Sequence, residues 1–288
     1  KPNSILVTFI SILFLVGFGL KAAIVPFHAW LADAHSSAPT PVSAVLSGVF
    51  IKTLGIYALA RVFFNILGVT PKILFIFMVL GIFSMVTGAF LAIIQKDTKR
   101  MLAYSSISQV GYIIFALGVG TPLAILGGLF HLFNHAVFKS LLFLNAGAIE
   151  HATGTRDLDK LGGLNAKIPL TGYTSLLGSM SISGIPPLGG FWSKLIIIIA
   201  AIQAGYFGFA LILALVSIIT LAYYFKFQTF AFFGQPAAAG LKIKKVFLSM
   251  NLAMIILAGI AALGALLVLP GPRQFLDSAV SVLTKGVF

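Results

Sequence analysis

Four lysines stand inside long apolar runs of this chain: Lys21, Lys52, Lys139 and Lys194. A lysine at the centre of a membrane-spanning helix costs roughly 2.5–3.5 kcal/mol on insertion scales, so such a residue is by default a functional one. Lys52 and Lys139 lie too deep in their runs for snorkelling to account for them. The six acids, Asp33, Asp97, Glu150, Asp157, Asp159 and Asp277, fall at the ends of apolar runs or between them. None is expected to neutralise a mid-membrane lysine. Each buried lysine must then be hydrated, be neutral part of the time, or meet a counter-charge from outside this chain. Burial penalises the charged form of a lysine. A lysine that alternates between charged and neutral can load and release a proton.

Histidines extend the pattern. His131, His135 and Lys139 follow one another at intervals of four, which sets them on one helix face. Imidazole titrates near neutrality, so the stripe can pass protons through intervening water. Two other readings stand beside this one. Paired histidines can bind zinc, but the run has no HExxH glutamate and no third ligand, and no metal is expected. The histidines can also serve only as hydrogen-bond partners to neighbouring helices. The chain has no cysteine, which removes thiolate-held zinc, iron–sulfur clusters and disulfides. No motif for flavin, quinone or cluster is recognisable. No cofactor and no redox chemistry of its own are therefore expected, and whether the chain serves an enzyme complex stays open.

The elements that must position these residues are membrane helices. Hydrophobic residues make up 59% of the 288-residue chain and charged residues 9%, with mean hydropathy +1.09. A soluble domain carries about 25% charged residues, so lipid must solvate most of this surface. Apolar runs at about 4–25, 41–66, 72–95, 99–119, 122–150, 167–204 (interrupted), 206–233 and 245–269 predict eight spans. A polar amphipathic tail follows at about 272–286. The runs are apolar all round, which excludes the alternating strands of a β-barrel. The fold class is all-α integral membrane.

The net charge of +13 is scattered in short connections, without a basic stripe, so no nucleic acid is expected; lipid attraction and orientation explain it. Lys96, Lys99, Arg100, Arg156, Lys160, Lys167, Lys226, Lys242, Lys244 and Lys245 fall in one set of loops, and Lys1, Arg61, Lys72, Arg273 and Lys285 in the other. The positive-inside rule places the first set in the cytoplasm and both ends of this chain outside a cell membrane. The mixed-charge stretch from Gly154 to Gly163 reads as a clasp or an inter-subunit contact.

Two helices look broken. Pro26 interrupts the first, and Gly184, Pro186, Pro187, Gly189 and Gly190 interrupt the sixth. Proline removes a backbone donor, and freed carbonyls inside a bilayer survive only against protein or water. Interrupted helices mark ion paths in transporters. The helix dipole is expected to favour a cation at Lys21, near the end of a half-helix, and to disfavour one at Lys194, in the first turn of another. Tyr104, Ser105, Ser106, Ser108, Gln109 and Tyr112 read mainly as helix-packing groups, with a wet path as the alternative.

These motifs resemble a known family. The run from Lys21 through Pro26, Trp30, Asp33, His35 and Pro39 to Ser43 is similar to the signature of antiporter-like membrane subunits. Such subunits include the proton-pumping ones of respiratory complex I, the D component of Mrp-type antiporters, and their counterparts in membrane-bound hydrogenase and sulfane reductase complexes. His131 to Lys139 and Gly184 to Lys194 resemble two further motifs of that family. The resemblance implies a fold of fourteen helices with two inverted repeats of five, of which this chain resembles helices seven to fourteen. Residues 1–66 would end the first repeat, 72–233 form the second and 245–269 the final helix, all within a transmembrane domain of residues 1–270, with 271–288 as the tail.

By that resemblance Lys21 is the central lysine of a broken helix, Lys52 a relay lysine, His131, His135 and Lys139 a connecting polar axis, and Lys194 the terminal lysine. The implied function is translocation of protons, or exchange of Na⁺ for H⁺, in a multisubunit membrane complex. Family members pair the central lysine with a glutamate on an earlier helix. That acid is absent here, so a segment or subunit supplying the earlier helices and the acid is an expected partner, with other membrane subunits and lipid. Two alternatives remain: a structural scaffold with the fold but without transport, and, with less support, a transporter of an organic substrate.

Overall fold

The computed structural model describes residues 4–234 and 243–285, except for the side chains of Ser4 and Lys52. Lys1 and Lys242 also lie outside the described residues. In hydrocarbon a backbone must satisfy its own hydrogen bonds, and the apolar runs do so as helices. These are α1 (Ser4–Ala22), α2 (Ala29–Ser37), a third span over Thr40–Leu67, α5 (Pro71–Ile93), α6 (Thr98–Val119), α7 (Pro122–Thr153), α8 (Pro169–Ser183), α9 (Gly189–Gln203), α10 (Phe207–Gln228), α11 (Leu248–Leu263) and α12 (Pro270–Thr284). The third span begins with α3 (Thr40–Val45) and contains α4 (Ala58–Val62). Among the described residues, seven helices are long and apolar enough to cross a bilayer. The interrupted run is the eighth crossing: α8 and α9 have 15 residues each, about 22 Å apiece, and only together reach across.

Polar signals set the ends. The side chains of Thr70, Asp97 and Thr121 accept hydrogen bonds from the first-turn N–H groups of Ile73, Arg100 and Ala124, which would otherwise lack partners. Gly154 ends α7 in the left-handed conformation, at φ 75°, where its missing Cβ removes the steric cost.

The third span departs from a plain α-helix. Leu46–Tyr57 and Phe63–Leu67 are π-helical, with i→i+5 bonding that widens the helix. The stretch includes Lys52. No residue pattern in the apolar run predicts this. The span is squeezed from two sides: Gly48 lies against the Ser140 hydroxyl, and a Cβ on Gly55 would sit 2.9 Å from the Ala22 backbone.

The centre of the bundle is α6, which is enclosed almost throughout. It packs along α5 through Gly81 and Gly88 on one side and Gly111 and Gly118 on the other. Small residues allow this approach where lipid supplies no hydrophobic drive between helices. Outward-facing Phe9, Phe83, Phe90, Phe225 and Leu248 are exposed, as a lipid-facing surface requires.

The charged loops gather at one end. Arg156 pairs with Asp97 (3.2 Å) and Glu150 (3.7 Å), and its guanidinium donates to the Ser36 carbonyl (2.5 Å). Lys96 meets Asp159 (2.5 Å), Arg100 meets Asp33 (2.9 Å), and Lys226 donates to the carbonyls of Ile93 and Gln95. The Gly154–Gly163 stretch is thus a clasp across the α5–α6 and α7–α8 connections. At the other end Asn65 donates to the carbonyls of Val282 and Leu283, docking α12 on the third span. Lys99, grouped with the loops on sequence, is buried in the first turn of α6, where Glu150 at 2.8 Å and the Ala38 carbonyl at 3.3 Å hold it.

Candidate functional site

The polar interior of the bundle starts at the break between α8 and α9. Gly184 turns the chain at φ 84°. Gly190 lies directly against the Ser181 carbonyl, and Gly189 against the Asn134 side chain. A side chain at either glycine would force the half-helices apart. Asn134 also donates to the Gly189 carbonyl at 3.3 Å.

Lys194 corrects the dipole expectation. It is the sixth residue of α9 rather than a first-turn residue. Side chains lean toward the N-terminus of their own helix, and this one reaches back across the break. Its Nζ donates to the Ile182 carbonyl at 2.8 Å, in the last turn of α8, where the dipole favours a cation. No ion pair reaches it among the described residues. The same ammonium lies 4.9 Å from the centre of the Tyr112 ring.

From Tyr112 the array continues inward. The Tyr112 ring is 5.6 Å from that of His131, and His131 is 6.4 Å from His135, centre to centre. His131 Nδ1 bonds the Ser193 hydroxyl at 2.9 Å. One turn further along α7, Lys139 Nζ donates to the Leu102 carbonyl (2.7 Å), the Ser105 hydroxyl and the Tyr224 hydroxyl (3.3 Å). His131, His135 and Lys139 are all fully buried. The sequence-expected stripe is therefore one face of α7, closed over by α6, α9 and α10.

Two members of this array were not singled out on sequence as part of it. Tyr224 lies in the apolar run of α10, where a tyrosine carries no signal of its own. Ser193 is noticed only once α9 faces α7. The hydroxyl-rich face of α6 divides by direction. Ser106 bonds Ser47 and Ser108 bonds the Met85 carbonyl, both as packing, while Ser105 and Tyr112 join the array. A cavity of about 140 Å³ between α8 and α10 is lined by Ser179, Ser183, Tyr224 and Gln228 among others. Most of its lining is apolar, with Leu176, Leu221 and Phe225 beside the Tyr224 side chain that bonds Lys139.

The first break is organised differently. Trp30 Nε1 donates to the Leu20 carbonyl (3.0 Å) and Ser84 accepts from the Val25 N–H (3.0 Å), so groups freed around Pro26 find partners. Lys21 sits in the last turn of α1, as the dipole argument expects. Its side chain is exposed, above a shallow depression with Phe14, Phe18 and Leu54. Within this chain α1 has neighbours on one side only, so this exposure leaves the expected burial of Lys21 untouched. Among the described residues Lys21 makes no ion pair and does not touch the histidine stripe. Lys52 lies on the π-helical segment, and its side chain is outside the described residues. Among the described residues no three His, Asp or Glu side chains converge as a metal site would need.

Comparison with known proteins places this arrangement. The family model described as "NADH:quinone oxidoreductase/Mrp antiporter, TM" matches residues 1–220. The NADH-quinone oxidoreductase subunit N of Desulforudis audaxviator (strain MP104C) is 37% identical over 227 residues, covering 76% of this chain and 44% of that protein. Hydrogenase-4 component B of Escherichia coli (strain K12) is 40% identical over 199 residues, 64% of this chain and 30% of that one. A chain of the Mrp complex from Dietzia sp. DQ12-45-1b superimposes with a TM-score of 0.88 at 28% identity, over 96% of this chain and 59% of that one. The chain spans less than half the length of these two curated relatives. The family match takes in both helix breaks and the whole lysine–histidine stripe between them, and this chain belongs to the NADH:quinone oxidoreductase/Mrp antiporter transmembrane family.

Proposed function

We propose that this chain moves protons, alone or in exchange for Na⁺, as one subunit of a larger membrane complex. The observation that carries this reading is the buried succession Lys194, Tyr112, His131, His135, Lys139, Tyr224. Its rings stand 5.6 Å apart from Tyr112 to His131 and 6.4 Å apart from His131 to His135. Protons pass between such groups through hydroxyls and intervening water. The work of the lysines is to change charge in a setting where charge is expensive, so each transfer shifts the balance at the next. Lys21 and Lys52 extend this succession toward the first break, and the counter-charge for Lys21 comes from another segment or subunit of the complex.

In this reading, residues 1–66 and 72–233 are the end of one repeat and the whole of a second. The clasped, lysine-rich end faces the cytoplasm, and the opposite end, with α12, faces outward across the cell membrane. Proton flux in liposomes holding the intact complex tests the function. Lys139→Met and His131→Ala should each lower flux at least tenfold while the complex stays assembled. Flux at the wild-type level in both would refute transport through this array. One observation favours the scaffold alternative: Lys139 ties α6 and α10 to α7 through its three bonds. That reading predicts a lower melting temperature for Lys139→Met with flux per complex unchanged.

A further inference from the structure

A second large cavity lies away from the lysine–histidine array. It has a volume of about 350 Å³ and opens between the start of α8 and the segment that leads into α11, at the clasped end of the molecule. Lys167, Lys244 and Lys245 line it, together with Thr171 and Asn251. All three lysines are exposed.

Bases outnumber acids 19 to six in this chain, and what sets the groove apart is that three of the bases without an acid line one cavity. The chain has six acids, and each already pairs with a base elsewhere. Asp33 pairs with Arg100, Asp97 with Arg156, Glu150 with Lys99 and Arg156, Asp157 with Lys160, Asp159 with Lys96, and Asp277 with Arg273. Among the described residues none is left for the three lysines of the groove. Three positive charges around one cavity, with no acid to meet them, call for an anion from outside.

The groove is also held in shape. The Lys244 N–H donates to the Ala152 carbonyl at 2.9 Å, fixing the segment to the end of α7, and the ring of Phe247 lies 4.3 Å from that of His151. Its level in the membrane follows from its neighbours. Two membrane helices begin here, and Tyr173, Phe247 and Leu248, just past the lysines on the apolar side, are 63%, 59% and 73% exposed. Aromatic side chains in that position mark the boundary between head groups and hydrocarbon. A molecule matching this surface would carry a negative head at the lysines and an apolar body beside Tyr173 and Leu248.

We propose that the groove lined by Lys167, Lys244 and Lys245 binds the phosphate head group of an anionic phospholipid. The lysines neutralise the head group, and its acyl chains cover the exposed apolar side chains below. The site serves to anchor the α8 half-helix at its start, at the end remote from the break. A lysine close to an anionic lipid surface contributes about fivefold in affinity, so three contribute about a hundredfold.

Native mass spectrometry of the intact complex in mild detergent tests this, with dioleoyl-phosphatidylglycerol, dioleoyl-phosphatidylcholine and inorganic phosphate as probes. Wild type should retain phosphatidylglycerol far better than phosphatidylcholine, and K167Q/K244Q/K245Q should bind it about a hundredfold more weakly. Equal retention by wild type and the triple variant, or equal binding of the two lipids, would overturn the proposal. Displacement of phosphatidylglycerol by millimolar inorganic phosphate would assign the groove to a free anion and overturn it too. If the triple variant does not assemble, Lys245→Gln alone should weaken binding about fivefold, while K167R/K244R/K245R keeps it; no change in the first or loss in the second would be equally decisive against it.

Discussion

At the scale of single residues, the structure gives Lys139 and Lys194 oxygens to lean on. Lys194 has the Ile182 carbonyl and Lys139 has Leu102, Ser105 and Tyr224. These contacts hold the ammonium groups in place without an acid that would trap the charge. Ser193 has a narrower part, bonding one nitrogen of His131 at 2.9 Å and so setting the imidazole's orientation. Losing a buried partner costs about 1–3 kcal/mol. Ser193→Ala should therefore cut proton flux several-fold, and Ser193→Thr, which keeps the hydroxyl, should restore most of it. Flux that is the same in both variants and wild type would remove Ser193 from the array. The lysines and histidines themselves were legible in the sequence, because polar residues at four-residue spacing stand out in an apolar run. Their hydroxyl partners were not, since serine and tyrosine also pack membrane helices and only the neighbouring helix decides which role each takes.

At the scale of elements, the breaks and the close crossings carry the architecture. The α8–α9 break depends on Gly190, because a Cβ there would run into the Ser181 carbonyl, a backbone atom with nowhere to move. Gly190→Ala should destabilise the protein by about 1–3 kcal/mol and lower flux, by separating Lys194 from the end of α8. Gly111→Ala should also destabilise, since its Cβ would come within 2.5 Å of the Gly81 carbonyl on α5. Gly208, with nothing within 4 Å, is the control: Gly208→Ala should leave the melting temperature unchanged or slightly raised. Equal melting temperatures for all three variants would show that the crossings tolerate more than this geometry implies. The Gly-Ile-Pro-Pro-Leu-Gly-Gly run announced its break, because no helix continues through it. The π-helical stretches of the third span gave no such notice. The first of them, Leu46–Tyr57, lies where Gly48 approaches α7 and Gly55 approaches α1, contacts that exist only in the assembled bundle.

At the scale of the whole molecule, charge is sorted to the ends. The clasp joins α2, α6, α7 and the α7–α8 connection, and Arg156 is its hub through Ser36, Asp97 and Glu150. The hub is about a third exposed, so screening limits its worth. Arg156→Ala should lower stability by about 1–2 kcal/mol, with a smaller difference from wild type at molar salt than at low salt. A difference that does not depend on salt would show that packing rather than charge is lost. On the rim of the clasp, the hydrogen bond and charge of Asp159 raise the pKa of Lys96 above its ordinary 10.5. The contribution of this pair is therefore full below pH 10.5 and fades as pH climbs through the raised value. Lys96→Met should shift alkaline unfolding to lower pH, as a melting series above about pH 9 would record.

The sequence by itself determined that this is a bundle of membrane helices, where the spans and breaks fall, and which lysines and histidines share a face. Those follow from local causes: run length, spacing, and the inability of proline and glycine to continue a helix. The tertiary structure alone decided what each charge meets. It turned Lys194 back onto the end of α8, left Lys21 exposed on α1, buried Lys99 beside Glu150, and gathered three lysines without acids around one groove. The physical reason is that a side chain's electrostatics depend on atoms a few ångströms away in space, and in a bundle those belong to helices far apart in the chain.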